Sequence, residues 1–576
     1  MAMQWLPETI RIVRPVFGQI VGVSAFINLL AVAAPVFVLQ VYDRVVMHAG
    51  LSTLYGLLIG VAIAIGFDFV LRQLRARLLQ STALEIDIGV NRRVMGKLLS
   101  APMRELEIRP VSYWETAFRD ANTVRDTFAG PTAVAIADLP FAVLFLAVIY
   151  LIAAPIAWVV LLLLPLFVGL AWWGARVQSS RVRDERDALT SRDAIVTEIV
   201  AGRTTVKSLG LDDRFVDKWE TSHARTIDRG LDRGRAGDNF VNSGLALSVI
   251  ATVAITGIGA LAILDQKLTI GALIATNMLA SRIIVPFHQL VSTWRTVAMC
   301  RQSVARLDAL FTLPEERAQS AIAFARPEGK LTLDGVSFRY RAADEPMVSN
   351  VRLTFEARGF YALVGANGSG KTTLLKIALG LYAPDEGRVL IDGADMSQFS
   401  RRDLTRWIGY VPQTVHLFAG TVRENIDSGR PGATDDDILA AARLSGVHDF
   451  VAALPDGYGT WVGEGGADMP GGIRQKIGIA RALMSRPPII ILDEPTSNLD
   501  RESELALART LRELSAEHTV IAATHSAGLL SACHSVLVLD RGRIAKGGEV
   551  RKILPELFAP ATPAGATATT SGGGRT

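Results

Sequence analysis

Two short stretches carry residue types at spacings suited to chemistry on a polyphosphate. The first is G-A-N-G-S-G-K-T, Gly365–Thr372, which follows the apolar run FYALV and precedes the helical run TLLKIALGLY. It matches the pattern GxxxxGK[ST] in the strand–loop–helix setting that the pattern requires. Its glycines let backbone N–H groups wrap phosphate oxygens at a helix N-terminus, where aligned peptide dipoles favour negative charge. Gly365, Asn367, Gly368, Ser369, Gly370 and Thr373 are therefore candidates for a phosphate cradle. Lys371 would neutralise the β- and γ-phosphates, and Thr372 would hold Mg²⁺. The second stretch is Ile489-Ile490-Ile491-Leu492-Asp493-Glu494. An apolar run ending in an acid also describes any buried parallel strand, so alone it says little. Paired with the phosphate loop, it puts Asp493 at a strand end near Mg²⁺ and Glu494 where it can polarise an attacking water. The chemistry implied is β–γ cleavage of a nucleoside triphosphate by positioning and charge stabilisation, with no covalent intermediate.

These loops need a scaffold, and from about Gly329 onward the sequence reads as an ordinary α/β domain, with strand-like stretches such as LTLDGVSFRY and VRLTFEARGFYALVG. The rest is different. A chain of 576 residues is too long for one domain, and at 50% hydrophobic with positive mean hydropathy it is unusual for a soluble protein. The net charge of +4 gives no reason to invoke nucleic acid. Cys300 and Cys533 show neither metal spacing nor a disulfide framework, which fits reduced, cytosol-facing domains. The N-terminus, MAMQWLPETIRIVRP, lacks the apolar core and cleavage site of a signal peptide, so the first apolar segment is expected to be its own insertion signal. The tail Ala559–Thr576 is rich in Ala, Thr, Gly and Pro without apolar periodicity and is expected to be disordered.

A helix crossing the bilayer needs roughly 20 mostly apolar residues to span about 30 Å. Six segments qualify: Phe17–Val41, Leu51–Leu71, Pro131–Leu151, Ile156–Val177, Phe240–Leu264 and Thr269–Trp294. The two long connections, 72–130 and 178–239, are rich in arginine, including Arg75, Arg92, Arg104 and Arg109 in the first and Arg181, Arg186 and Arg203 in the second. The short ones carry only Arg44 and Lys267. The positive-inside rule then places both long loops and both termini in the cytoplasm. Patterns such as LRQLRARLLQSTALEIDIGVNRRVMGKLL suggest that the loops prolong the flanking helices beyond the bilayer, far enough to touch a soluble motor domain. Charges within the segments are few. Arg282, well inside the sixth, is a candidate for the translocation path, or else for a structural ion pair or helix bend, and Asp68 and Asp138 read as structural. The fold expected is an all-α six-helix transmembrane domain with long cytoplasmic helical extensions, plus an α/β P-loop NTPase. The boundaries expected are a transmembrane domain over 1–300, a linker over 301–328, a nucleotide-binding domain over 329–558 and a tail over 559–576.

Around the two chemical motifs stand further elements that resemble the ATP-binding-cassette (ABC) family, in that family's order. The resemblance implies that Tyr340, in SFRY, stacks on adenine and that Gln413, in YVPQ, senses Mg²⁺ and contacts the membrane domain. The stretch WVGEGGADMPGGIRQKIGIARAL resembles the family's signature region, preceded by an exporter-type acidic loop holding Glu464. Asp500, in SNLD, matches the loop that crosses between two cassettes, and His525, in AATHS, matches the switch histidine at the γ-phosphate. One departure stands out. The family usually reads LSGGQ where this chain has Met469-Pro470-Gly471-Gly472-Ile473. In the family this segment caps the nucleotide of the opposite subunit with a serine hydroxyl and backbone amides. Pro470 removes the hydroxyl and one N–H, while Gly471 and Gly472 still offer amides, so a weakened site is expected, not a dead one.

Because the family's phosphate loop and signature do not close within one cassette, the resemblance implies a dimer, most simply a homodimer. A heterodimer with a separate half-transporter is the alternative, to which the altered signature adds some weight because unequal sites are common in such pairs. Membrane domain first and cassette second resembles the exporter branch, with coupling helices expected near Val111–Phe118 and Leu211–Trp219. The phrases LQVYDRVV, FDFVLRQLRARLL, ADLPFAVLFL, ASRIIVPFHQL and LPDGYGTWVGEGGA are similar to inner-membrane ATPases of bacterial type I secretion. That resemblance implies ATP and Mg²⁺ as cofactors, with membrane lipid, a periplasmic adaptor and a secreted protein as partners. The few residues ahead of the first span speak against an N-terminal peptidase and a leader-cleaving peptide exporter. Export of a lipid, glycan or small amphiphile, or a non-transporting ATP-gated sensor or scaffold, are the readings left open.

Overall fold

The computed structural model describes residues 5–558 apart from 49, 321, 323, 342–344 and 428–431. The chain forms two compact units: Met1–Leu98 with Val111–Leu313, and Leu99–Pro110 with Pro314–Thr576.

The first unit is helical. Three of its helices are far longer than a bilayer needs: Leu51–Ser100 (50 residues), Ala154–Ala201 (48) and Asp212–Leu264 (53). At 1.5 Å per residue a 50-residue helix extends about 75 Å, more than twice the hydrocarbon thickness. Five helical stretches among the described residues are long and apolar enough to cross a membrane, within Val16–Val46, Leu51–Ser100, Val111–Ile152, Ala154–Gly174 and Asp212–Leu264. The sixth expected span falls in the helix Ile270–Phe311, where a shorter apolar stretch, Ile270–Val285, is found. Large apolar side chains face outward on these helices, such as Phe69, Trp158 and Leu162, while Ile149, Ile156, Ala251, Ile255 and Leu279 form a buried seam.

Breaks in the helices follow from the sequence. The expected continuous span Pro131–Leu151 is instead two helices, Pro131–Asp138 and Ala142–Ile152, joined by a 3₁₀ turn at Leu139–Phe141. Pro140 lacks the N–H that an uninterrupted α-helix would use there. The first span changes at Val41–Val46 into a π-helical segment. There the Asp43 carboxylate accepts hydrogen bonds from Thr269 Oγ1 (2.7 Å) and Gly271 N (3.2 Å), capping the helix Ile270–Phe311.

Buried charge in this unit is paired. Arg75 bonds Asp138 at 2.9 Å and Ser24 Oγ at 3.0 Å, which gives Asp138 the structural role expected of it. Asp120 is wholly buried between Arg306, which reaches both its oxygens at 2.6 Å, Ser303 at 2.8 Å and Arg186 at 3.5 Å. Asp68 pairs with Arg72 one turn away. Arg282 is exposed and has no ion-pair partner among the described residues.

The short loop helices lie elsewhere than expected. Val111 opens a 19-residue helix running to Ala129, and the separate short helix is Met103–Ile108, which belongs to the second unit. In the second loop the short helix is Arg203–Leu209, ended by Gly210 in the left-handed region (φ 60°). The expected stretch Leu211–Trp219 largely forms the first turns of the long helix Asp212–Leu264.

The second unit is α/β. Its six-stranded sheet runs Arg543–Glu549, Ser535–Asp540, Gly359–Val364, Thr519–Ala523, Ile489–Asp493, Ile408–Val411, all parallel except the first. The Ile489–Asp493 strand is buried at every residue, as the unbroken apolar run demands of a strand covered on both faces. An antiparallel sheet of Val348–Phe355, Leu331–Phe338, Glu386–Ile391 and Ala394–Asp395 adjoins it. The two hydrophobic clusters of the unit both draw on the central strands. The expected tail, Ala559–Thr576, lies outside the described residues.

Candidate functional site

Sheet register assembles the site. Leu363 and Asp493 both pair with Ala523, so three neighbouring parallel strands end level with one another. Their C-terminal ends deliver the phosphate loop, the acidic pair and His525 to one edge, where open parallel sheets bind ligands. Gly370 caps the loop's helix, Lys371–Ala378, at φ 102°, and a Cβ there would stand 2.8 Å from Met347 O. Only glycine suits both the left-handed backbone and that approach.

Lys371 is buried, and its ammonium donates to Gly365 O (2.7 Å) and Ala366 O (3.3 Å) inside the loop. Asp493 is 1% exposed, and neither of its carboxylate oxygens has a hydrogen-bond partner among the described residues. Burial pushes its carboxyl above the usual range, against the pull of the Thr372 hydroxyl and the Lys371 charge. Such an unsatisfied pair of oxygens beside a threonine hydroxyl suits a hard divalent cation held by one carboxylate and substrate phosphates. No group of three or more His, Cys, Asp or Glu that could hold a metal occurs among the described residues. Ser369 Oγ, in the loop itself, is likewise buried without a partner.

Glu494 has a left-handed backbone (φ 46°), uncommon for a residue with a side chain and costing on the order of 1–3 kcal/mol. The surrounding chain holds it there: its N–H donates to Ala523 O (2.9 Å) and its carbonyl accepts from Ser497 N and Oγ. The carboxylate lies 3.5 Å from His525 Nε2, and His525 is half-exposed. Tyr340 bonds through its hydroxyl to Thr373 Oγ1 (2.9 Å) and sits edge-on to Phe338 and Tyr382. The expected adenine platform is thus tied to the phosphate-loop helix. Gln413, just past the strand Ile408–Val411, is exposed.

The remaining expected residues form a second grouping. Pro470 is the N-cap of the helix Gly471–Leu483 at φ −55°, ψ 145°, and no side chain caps the first-turn amides. A Cβ on Gly472 would lie 2.9 Å from Asn498 O, and one on Gly471 would touch the Asn498 side chain, so the signature turn rests on the SNLD loop. Asp500 caps the next helix by accepting from Ser503 N (2.8 Å) and Oγ (3.1 Å), which holds its carboxyl below the usual range. The side chain of Glu464 lies outside the described residues.

Sequence reasoning passed over Asn498, Tyr382, Glu107 and the role of Arg104. Asn498 stood only inside the SNLD match, Arg104 registered only as loop charge, and no local pattern marks Tyr382 or Glu107.

A family model described as "ABC transporter" matches residues 348–497, and one described as "ABC transporter transmembrane region" matches residues 18–287. The cyclolysin secretion/processing ATP-binding protein of Bordetella pertussis is 32% identical over 542 residues, which is 94% of this chain and 76% of that protein. The alpha-hemolysin translocation ATP-binding protein of Escherichia coli is 30% identical over 566 residues, covering 96% and 78%. A solved structure of a bacterial Atm1-family ABC exporter with ATP bound shares the fold at TM-score 0.84 and 22% identity, over 95% of this chain and 97% of that one. With an apolar helical unit and an ATP-binding cassette in one polypeptide, and relatives of this kind along nearly its whole length, the chain belongs to the ABC transporters as a multi-pass exporter that couples ATP hydrolysis to transport.

Proposed function

We propose that this exporter is the inner-membrane permease and ATPase of a bacterial type I protein secretion system. It works as a homodimer of chains with six membrane helices each, with cassettes and termini in the cytoplasm. A periplasmic adaptor and a secreted protein are its partners. The similarity to a cyclolysin secretion/processing ATP-binding protein and an alpha-hemolysin translocation ATP-binding protein supports a protein substrate. The single observation carrying the dimer is the division of the site. Lys371, Asp493, Glu494 and His525 gather at one sheet edge, while the signature turn packs on Asn498 and has no hydrogen bond to any of those four side chains among the described residues. A second chain would supply the missing signature.

In this reading Gly365–Gly370 and Thr373 cradle the phosphates and Lys371 neutralises them. Tyr340 stacks on adenine. Asp493 and Thr372 would hold Mg²⁺, with Gln413 alongside, and the cation would supply charge neutralisation between the β- and γ-phosphates. Glu494 orients the attacking water, and His525, 3.5 Å away, holds its carboxylate and meets the γ-phosphate. Gly471 and Gly472 of the partner subunit donate amides to that phosphate. ATP closes the cassettes only through its higher affinity for the closed state, and hydrolysis releases them.

The test is Mg²⁺-dependent ATPase of the reconstituted chain beside Glu494→Gln. The reading expects a loss of at least about 100-fold, typical of removing a positioned general base, together with an ATP-trapped closed dimer seen by cross-linking. No ATPase in the wild-type chain alone, restored by a second half-transporter, would replace the homodimer with a heterodimer. Stimulation by lipid or glycan but not by an unfolded C-terminal segment of a co-encoded secreted protein would overturn the secretion reading.

A further inference from the structure

The helix Met103–Ile108 comes from the first loop between membrane spans, yet it folds as part of the nucleotide-binding unit. Two of its side chains, three residues apart and so on one face, reach the nucleotide site at different ends. Arg104 donates through Nε (3.3 Å) and Nη2 (3.2 Å) to the carbonyl of Tyr340, and through Nη1 (3.3 Å) to Asp385. Its guanidinium also lies 5.5 Å from the centroid of the Phe338 ring, against which Tyr340 packs edge-on. Glu107 accepts from Lys376 Nζ (2.8 Å) and from the hydroxyl of Tyr382, a ring buried at 1% exposure. Lys376 belongs to the phosphate-loop helix, as does Thr373, which holds the Tyr340 hydroxyl. Met103 completes the contact by packing into the same apolar cluster.

We propose that Arg104 and Glu107 are positioning residues for this chain's own nucleotide site: Arg104 sets the adenine platform at Tyr340, and Glu107 sets the phosphate-loop helix at Lys376. The chemistry differs at the two ends. Arg104 grips a main-chain oxygen with a planar fork, a geometry that lysine does not reproduce. It therefore fixes where the Tyr340 ring starts. Glu107 satisfies the polar end of a buried tyrosine and the charge of a lysine, so losing it frees one face of the phosphate-loop helix. Bound nucleotide would sense this loop twice, once through its base and once through its phosphates. The inference rests on the reading of Tyr340 as the base-stacking residue.

The experiment measures equilibrium binding of ATP and UTP to the full-length protein in nanodiscs, on the Glu494→Gln background. Arg104→Gln is expected to weaken ATP by about tenfold and UTP much less, because the smaller pyrimidine gains less from stacking. Tyr340→Ala should show the same loss of base discrimination. Glu107→Gln should weaken both nucleotides alike, and the exchange Glu107→Lys with Lys376→Glu should recover most of that loss. A merely structural role would lower thermal stability without changing the ATP-to-UTP ratio. If Tyr340→Ala loses base discrimination and Arg104→Gln keeps it, the Arg104 proposal is wrong while the site reading stands. If Tyr340→Ala keeps it, the reading of Tyr340 falls and the Arg104 proposal with it. Glu107→Gln with unchanged affinity for both nucleotides removes the Glu107 part.

Discussion

Replacing Pro470 by serine separates stability from turnover in a way the structure specifies. Pro470 occupies the N-cap of the helix Gly471–Leu483 with an extended backbone, ψ 145°, that serine adopts readily, and Arg474 N already bonds its carbonyl at 3.0 Å. A serine there could satisfy one first-turn amide, stabilising the helix by about 1 kcal/mol. Against that, proline at a compatible φ stabilises the fold by about 0.4–1 kcal/mol through the unfolded chain, and this is lost. The two nearly cancel, so thermal unfolding without nucleotide should hardly move. Turnover should behave differently. In the proposed closed dimer the new hydroxyl would face a charged phosphate, and a hydrogen bond to a charged group is worth about 1.5 kcal/mol or more. That corresponds to roughly a tenfold rise in the closed population and in ATPase where closure limits the rate. The assay is Mg²⁺-ATPase of reconstituted Pro470→Ser beside the parent chain, paired with its nucleotide-free melting curve. Unchanged ATPase with unchanged melting would refute the idea that the altered signature slows this motor. A large shift in melting would refute the cancellation.

Asp493→Asn should abolish Mg²⁺-dependent ATPase yet stabilise the nucleotide-free cassette. Burial raises the Asp493 carboxyl's pKa in the folded state, so its charge destabilises the fold above that raised pKa, and the effect fades as pH falls through it. Removing an unsatisfied buried charge is expected to gain on the order of 1–3 kcal/mol near pH 7, with the gain shrinking in acid; a pH series of melting curves checks both. Arg306→Met should destabilise the helical unit by about 3–5 kcal/mol, because it strips Asp120 of its bidentate partner and leaves Arg186 at 3.5 Å. Adding Asp120→Leu should recover much of that stability, and limited proteolysis of the membrane-inserted protein reads both effects.

What the sequence determined was local. The phosphate loop is contiguous, and its glycines, lysine and threonines act through backbone geometry spanning a few residues. Five of the apolar spans were legible because a bilayer demands length and composition, and Ile489–Asp493 because a strand covered on both faces needs an unbroken apolar run. Pro140 was legible in principle as a break, but the length of the apolar run hid it.

Tertiary structure decided what depends on register and close packing. Asp493 ends one strand and His525 follows the end of its neighbour, Thr519–Ala523, so only the pairing of Asp493 with Ala523 sets the acidic pair level with the histidine. Asp43 caps a helix whose first turn lies 226 positions away, at Thr269. The short helix Met103–Ile108 is hard to tell from its neighbours by periodicity, and six residues are too few to show a face. Its link to Tyr340 spans 236 positions. Such contacts cost chain entropy to form and are recovered only by the packing of the whole unit, so no window of sequence contains the reason for them.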